Sequence, residues 1–123
     1  MPQNEPALRE LATLLSTLAH PQRIRIIEEL RRGEADVNTL TAALGCQHSR
    51  VSQHLSKLKA QRLVSMRRDG RHVYYRLTAP AVAAWLVQGL DFIAGELTPR
   101  DKIHSAVEHA RAEWLDNGES AAS

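Results

Sequence analysis

Apolar positions recur at helical spacing near the start of the chain. Four leucines repeat every three or four residues: Leu8, Leu11, Leu15 and Leu18. This narrow stripe predicts an amphipathic helix over about Glu5–Leu18, suited to pack against another helix of this chain or of a second copy. A second helix is expected to begin at Pro21, because proline is tolerated in a first helical turn, and to end at Gly33.

A short helix and a longer one follow, separated by a glycine-containing turn. The short helix is expected to begin at a cap, Asp36 or Asn38, and Gly45 ends it. In the longer helix an apolar stripe is formed by Val51, Leu55 and Leu58. Polar residues lie opposite that stripe: Ser49, Arg50, Gln53 and Lys57. These side chains can reach base edges or phosphates in a major groove, or form an ordinary solvated face. Two such helices around a short turn are a helix-turn-helix arrangement.

After this helix the apolar pattern changes to alternation, which predicts a two-stranded hairpin. The expected core face contains Val64, Met66, Val73, Tyr75 and Leu77. Asp69-Gly70 favours a two-residue type I′ turn, because both central residues of that turn need positive φ. The turn would pair Arg68 with Arg71, Arg67 with His72, Met66 with Val73, and Val64 with Tyr75. A polar-faced helix followed by an arginine-tipped hairpin is typical of a winged helix-turn-helix.

Two further helices are predicted after the hairpin. The first, about Pro80–Leu97, has apolar residues over more than half of its circumference. Contact on one side cannot cover such a helix, so we expect a homodimer built from this helix and the first, unless the last helix covers the surplus. The last helix should begin at Thr98-Pro99 and run to about Trp114–Asp116, where Asn117-Gly118 stops it.

These elements predict a mainly α fold with a small β-hairpin, in the order α-α-α-α-β-β-α-α. The 123 residues fit a single domain over 1–116, with dimerisation helices at about 5–18 and 80–116 and a disordered tail over 117–123. The single cysteine, Cys46, excludes an internal disulfide and suits a reducing compartment. We expect a cytoplasmic protein that does not enter a membrane, since neither a signal-peptide pattern nor a run of about 18 apolar residues is found.

Charge is distributed unevenly along the chain. Half of its 16 lysines and arginines lie in Cys46–Arg76, against one acid, Asp69, and the remainder is net acidic. A basic segment on an otherwise acidic protein indicates a surface that contacts a phosphate backbone.

Two stretches together resemble the ArsR/SmtB family of bacterial winged-helix repressors. They are LAHPQRIRIIEELRRGEADVNTLTAALG and SRVSQHLSKLKAQRLVSMRRDGRHVYYRL, within about 14–77. The resemblance implies a homodimer that binds an inverted-repeat operator in double-stranded DNA. It also implies an effector, often a metal ion or a thiol-reactive signal, that releases the DNA.

The resemblance further implies which side chains contact DNA. The groove-facing positions map to Ser49, Arg50, Ser52, Gln53 and Lys57. The wing contacts map to Arg67, Arg68, Arg71 and His72. Gln47 and His48, in the turn before the helix, complete the candidate set. Many relatives have serine in place of Gln47, and glutamine is a poorer N-cap, so the helix start is open by a residue or two.

The effector is less clearly indicated. The Cys-x-Cys pair of family arsenic and cadmium sensors is absent from the stretch GEADVNTL, and the family's zinc pattern is absent from the C-terminal helix. One polar cluster could bind zinc or nickel, or be a solvated helix face: Asp101, His104 and Glu108, with His109 nearby. Cys46, near the start of the recognition helix, is a redox candidate or a small half-buried turn residue. His54 is expected to be packed and hydrogen-bonded rather than a ligand.

Two other functions compete with a DNA-binding repressor. A winged-helix protein-interaction module could have kept the fold without DNA binding, although the dense arginines argue against it. A metal-dependent enzyme would have to use Asp101, His104 and Glu108. The sequence contains no Gly-rich phosphate loop or nucleophile elbow, so we expect that the chain is not an enzyme.

Overall fold

The structure, a computed structural model, describes the backbone of residues 4–97 and 101–122, without the side chains of residues 97, 101–104 and 116–122. Its helices are α1 (Glu5–Leu18), α2 (Pro21–Arg31), α3 (Val37–Leu44), α4 (His48–Ala60), α5 (Ala81–Phe92) and α6 (Asp101–Ala122). Its strands are β1 (Ala35–Asp36), β2 (Val64–Asp69) and β3 (His72–Leu77). The predicted mainly helical fold with a small hairpin is confirmed, and no described helix is long and apolar enough to cross a membrane.

The predicted bounds of α1, the predicted start of α2 at Pro21 and the predicted end of α3 at Gly45 are confirmed. Asp36, one of the two candidate caps, accepts a hydrogen bond at Oδ1 from the Thr39 backbone N–H at 2.8 Å. Gly45 ends α3 in the left-handed region, with φ of 68°, and its N–H donates to the Thr41 carbonyl. Gln47 precedes α4 with extended backbone and makes no side-chain capping bond, as expected of a poor cap.

The hydrophobic core lies around α2, where it is formed together with side chains of α1, α3, α4, α5, α6 and β2. It is formed by Leu18, Ile26, Ile27, Leu30, Leu40, Leu44, Val51, Leu55, Leu58, Val64, Ala83 and Trp114. Ile26 and Ile27, adjacent on α2, are both fully buried. α2 contacts α3, α4, α5 and α6, so its buried surface is wider than a single apolar stripe.

The hairpin is correctly predicted, but its register is wrong by two residues. The observed pairs are Val64 with Leu77, Ser65 with Arg76, Met66 with Tyr75, Arg67 with Tyr74, Arg68 with Val73, and Asp69 with His72. The turn is therefore Gly70-Arg71. Gly70 has φ of 63° and Arg71 does not have positive φ, which is the pattern of a type II′ turn rather than the predicted type I′. A third strand, β1, was not predicted and pairs with β3.

Met66 departs from the predicted core face of the hairpin. Val64 is buried and Tyr75 and Leu77 pack against the core, but Met66 is 44% exposed and its Sδ lies 3.5 Å from the Lys59 Nζ. At Met66, strand β2 extends beyond the core. The alternation of apolar and polar residues continues there, but no core side chains cover Met66. The hairpin is a projecting wing.

The C-terminal helices differ from the prediction in two places. α5 ends at Phe92, and a π-helical turn over Ile93–Leu97 replaces its predicted last turn. α6 continues through Asn117-Gly118 to Ala122, so the predicted helix end is wrong and the backbone expected to be a disordered tail is helical over 117–122. An interior glycine costs a helix only about 1 kcal/mol relative to alanine, so it does not by itself end a helix.

Candidate nucleic-acid interface

The recognition helix α4 separates its residues into a buried stripe and a polar face. Val51, Leu55 and Leu58 have no exposed surface, because α4 packs against α2 and α3 on that side. The opposite face is exposed and contains Gln47, His48, Ser49, Arg50, Gln53 and Lys57. Ser52 is half-buried at the edge. The helix is thus held by its apolar stripe and leaves its hydrogen-bonding groups free for a groove.

The wing arginines are not equivalent. Arg68 and Arg71 are exposed, and neither makes an ion pair or side-chain hydrogen bond within the described part of the chain. Arg67 donates from Nε to the two carboxylate oxygens of Glu34 at 3.1 and 2.9 Å, and its Cζ lies 4.7 Å from the Tyr74 ring centroid. The hydrogen bond from Arg67 lowers the pKa of the Glu34 carboxyl. Arg67 therefore ties the wing to the segment before β1, whereas Arg68 and Arg71 remain available to an anion.

A polar cleft of about 180 Å³ joins the wing to the helix-turn-helix. From the predicted set it brings together His48, at the start of α4, and Arg71 and His72, at the wing tip. Asp36 and Asn38, at the start of α3, form its other wall. Sequence reasoning treated Asn38 only as a helix cap, so its place beside the wing was missed. The pairing of β1 with β3 is what brings it there, and that long-range contact has no local signal.

His54 connects the recognition helix to the rest of the subunit. Its Nδ1 accepts a hydrogen bond from the Arg23 Nε at 3.1 Å, while the Arg23 Nη1 donates to the Thr17 carbonyl at 3.0 Å. Burial lowers the pKa of His54, and the nearby positive charge of Arg23 lowers it further. The neutral ring is the acceptor, so the interpretation of His54 as a packed, hydrogen-bonded side chain holds. Arg23, which joins α1, α2 and α4, was missed.

The effector candidates are only partly covered by the structure. Asp101 and His104 lie outside the residues whose side chains are described. Glu108 lies 3.9 Å from Arg111, and the His109 Nε2 lies 3.3 Å from Glu113. No group of three or more potential metal ligands is found among the described residues. The Cys46 thiol is free and half-buried against the core.

An apolar surface, here called the α1–α5 face, is formed by exposed side chains of α1 and α5. It is formed by Leu8, Leu11, Leu15, Trp85 and Phe92, all 41–58% exposed. Between the two helices a groove of about 470 Å³ is lined by side chains that include Leu15, Trp85 and Phe92. An exposed apolar surface of this kind is typical of a site where another molecule binds. α6 does not cover it, so the surplus apolar surface of α5 remains open in the subunit.

Comparison with known proteins places this geometry in a family. The model of the bacterial regulatory proteins of the arsR family matches residues 20–66, which contain α2, α3 and α4. The nodulation protein NolR of Rhizobium meliloti is 45% identical over 71 residues, which span 58% of this chain and 58% of NolR. The match thus spans less than two thirds of that relative. A biofilm growth-associated repressor of Agrobacterium fabrum is 38% identical over 90 residues, 73% of this chain and 76% of that protein.

A solved structure resembles most of the chain. It is the homodimeric winged helix-turn-helix DNA-binding domain Mb0332 from Mycobacterium bovis, in solution. It is 30% identical, aligns with a TM-score of 0.67, and the alignment covers 80% of this chain and 93% of that one. The alignment therefore extends beyond the residues matched by the family model.

Proposed function

Because the chain belongs to the arsR family of bacterial winged helix-turn-helix transcriptional regulators, we propose that it is a homodimeric repressor that binds an inverted-repeat operator. Proteins of this family are regulators and not enzymes, so the metal-dependent enzyme is set aside. The observation that supports the proposal most directly is the continuous cationic and polar surface from α4 through the cleft at His48 to the free arginines of the wing.

On this surface the residues have different proposed roles. The face of α4 enters the major groove, where Arg50 and Gln53 meet base edges and Lys57 meets phosphate. Arg68 and Arg71 contact the phosphates flanking that groove. His48 and His72 line the cleft between these two contacts, where a phosphate can approach both. The cytoplasmic location of the protein follows from this partner and is part of the proposal.

The homodimer forms through the α1–α5 face. Covering this face with a second copy buries the leucines of α1 and the aromatic residues of α5 without needing another protein. A two-fold axis between the copies then presents two recognition helices to successive major grooves, which places the half-sites about 34 Å apart.

An effector that releases the operator remains a proposal. Family regulators are often metal-responsive, and zinc or nickel could bind at the α6 face containing Glu108 and His109. Oxidation of Cys46 is the other hypothesis, because Cys46 lies two residues before the start of α4. The two hypotheses separate when operator affinity is measured with chelator, with zinc, and with peroxide, since His104→Ala should abolish only the zinc response.

The experiment that tests the repressor is fluorescence anisotropy on the duplex upstream of its own gene. Tight binding that weakens steeply with salt is expected, because phosphate contacts release counterions. A protein-interaction module would bind neither this duplex nor a scrambled one. Gln53→Ala should weaken the specific duplex more than the scrambled duplex, and equal losses on both would refute a base-reading role.

A further inference from the structure

The polar cleft between the wing and the helix-turn-helix is lined by charges that balance. Two of the described side chains that line it are charged at every pH near neutral, the carboxylate of Asp36 and the guanidinium of Arg71. Two others are histidines, His48 and His72, and histidine is the side chain that gains or loses a positive charge between pH 5 and 8. While both histidines are neutral, the charges that line the cleft therefore cancel.

Asp36 remains a carboxylate over this whole pH range. As the cap of α3 it accepts a hydrogen bond at Oδ1 from the Thr39 backbone N–H at 2.8 Å. The hydrogen bonds from Thr39 lower the pKa of Asp36, and the charge of His72 lowers it further. An anion that enters the cleft therefore meets a fixed negative charge as well as the positive charge of Arg71.

His72 lies on the face of the wing that carries the acids. Asp69 is opposite His72 in the β2–β3 ladder, and Asp36 is opposite Tyr74 in the β1–β3 ladder. The Tyr74 and His72 ring centroids are 6.1 Å apart, so these residues share one face of the sheet. Arg67 lies 3.7 Å from Asp69 and is already bound to the acid that precedes β1, so the acids of this face outnumber it. These surroundings favour a positive charge on His72.

His48 has different surroundings in the same cleft. It is the first residue of α4, where the helix dipole disfavours a positive charge. A neutral imidazole can still donate one N–H to a phosphate oxygen. The two histidines are therefore suited to different tasks, His48 to donate as a neutral ring and His72 to take up a proton.

We propose that the cleft binds one operator phosphate together with one proton, which is taken up by His72. The proposal rests on the proposed function, because that function brings DNA to the cleft. The phosphate adds one negative charge to a cleft whose own charges cancel, and protonation of His72 restores the balance. Arg71 and the neutral His48 donate further hydrogen bonds to the phosphate. Since the complex holds more protons than the free protein, operator affinity rises as pH falls.

Proton uptake is measured by isothermal titration calorimetry of the wild-type protein with the duplex upstream of its own gene, at pH 7.5 in Tris and in HEPES. The buffer supplies each proton, so the binding enthalpy differs between the two buffers in proportion to the number of protons taken up. We expect uptake of up to about one proton per subunit. Equal enthalpies in the two buffers overturn the proposal, whereas a protein that does not bind the duplex refutes the repressor instead.

Two histidine variants locate the proton. From pH 8 to pH 6, at fixed salt, the wild-type affinity measured by anisotropy should rise at least about tenfold. His72→Gln keeps a hydrogen-bond donor without a titrating ring, so it should lose most of this rise and of the proton uptake. His48→Gln, in the same cleft, should weaken binding at both pH values and keep the rise. If His72→Gln keeps the full rise, the proton binds elsewhere and the proposal is wrong.

Asp36→Asn tests the balance of charge in the cleft. Asparagine caps a helix as well as aspartate does, so α3 should stay folded, and the melting temperature checks this. Without the carboxylate, Arg71 alone neutralises the phosphate, so the variant should bind more tightly than the wild type at pH 8 and take up fewer protons. Unchanged proton uptake would show that the charge of the cleft does not drive it and would overturn the proposal. If the variant does not fold, the wild-type comparison of the two buffers decides.

Discussion

The recognition helix and α5 are both amphipathic helices of similar length, but they are completed differently. In α4 every large apolar residue of the stripe is fully buried within the subunit, and every large side chain that remains exposed is polar. In α5 the residue below 2% exposure is Ala83, while Trp85 and Phe92 are 41% and 56% exposed. The apolar side chains of α4 are covered by the same subunit, whereas those of α5 remain exposed until another molecule packs against them. The proposed DNA-contacting face is therefore complete in one subunit, whereas the distance between two recognition helices would be set by the proposed dimer.

The largest expected effect on stability comes from truncating a buried apolar side chain of α4. Leu55→Ala removes a fully buried side chain and should lower the free energy of unfolding by about 2–5 kcal/mol, measured by urea denaturation. Phe92→Ala is the matched truncation on α5 and should change the stability of the isolated subunit far less, because Phe92 is more than half exposed. Similar losses from both variants in the monomeric state would contradict the comparison.

The next largest effect is expected from placing a charge in the α1–α5 face. Leu11→Glu places a charge in the α1–α5 face and should give monomers by light scattering, because a buried unpaired charge is strongly unfavourable. Operator affinity should fall about 100-fold or more, since the two half-sites no longer bind together. Thr13→Glu, on the opposite side of α1, is the control and should remain dimeric. A Leu11→Glu protein that stays dimeric would place the interface elsewhere.

The difference between the two regions also explains what the sequence could predict. Helix starts carry chemical signals: Pro21 located the start of α2 to the residue, and the cap of α3 was narrowed to Asp36 or Asn38. The hairpin register was missed because a shift of two residues leaves every side chain on its own face, so alternation cannot distinguish the two pairings. Only the turn chemistry at Gly70 separates them.

The sequence predicted which residues belong to the candidate interface, but not which of them contact one another or other parts of the chain. The exposed polar face of α4 follows from helical spacing alone. The distinction between Arg67 and Arg68 does not, because the partner of Arg67 is Glu34, 33 positions earlier in the chain. The cleft at Asn38 likewise depends on the pairing of β1 with β3. Contacts of this kind have no periodic signal in the sequence.

A smaller effect on operator affinity is expected from substitutions of the wing arginines. Arg68→Ala and Arg71→Ala should each weaken operator binding several-fold and reduce the slope of log affinity against log salt by about one, because each removes a phosphate contact. Arg67→Ala should change that slope less, since Glu34 already neutralises it. Anisotropy over a salt series measures all three.

Glu34→Gln is the control for the wing series, because it removes the acid and leaves Arg67 in place. It should release the guanidinium toward DNA and steepen the salt dependence. If Arg67→Ala lowers the slope as much as Arg68→Ala does, Arg67 also contacts phosphate in the complex and its pairing with Glu34 is broken on binding.

The smallest effect concerns pH and the link from α1 to the recognition helix. Because the pKa of His54 is lowered below its ordinary value of 6.5, the unfolded state takes up a proton first as pH falls. Stability should therefore decline as pH drops through 6.5, and stop declining from this source below the lowered pKa. His54→Asn keeps an acceptor for Arg23 without a titrating group, so its loss of stability between pH 7 and 5 should be smaller than that of the wild type. Parallel stability curves for the two proteins in urea would show that His54 does not couple the proton to folding.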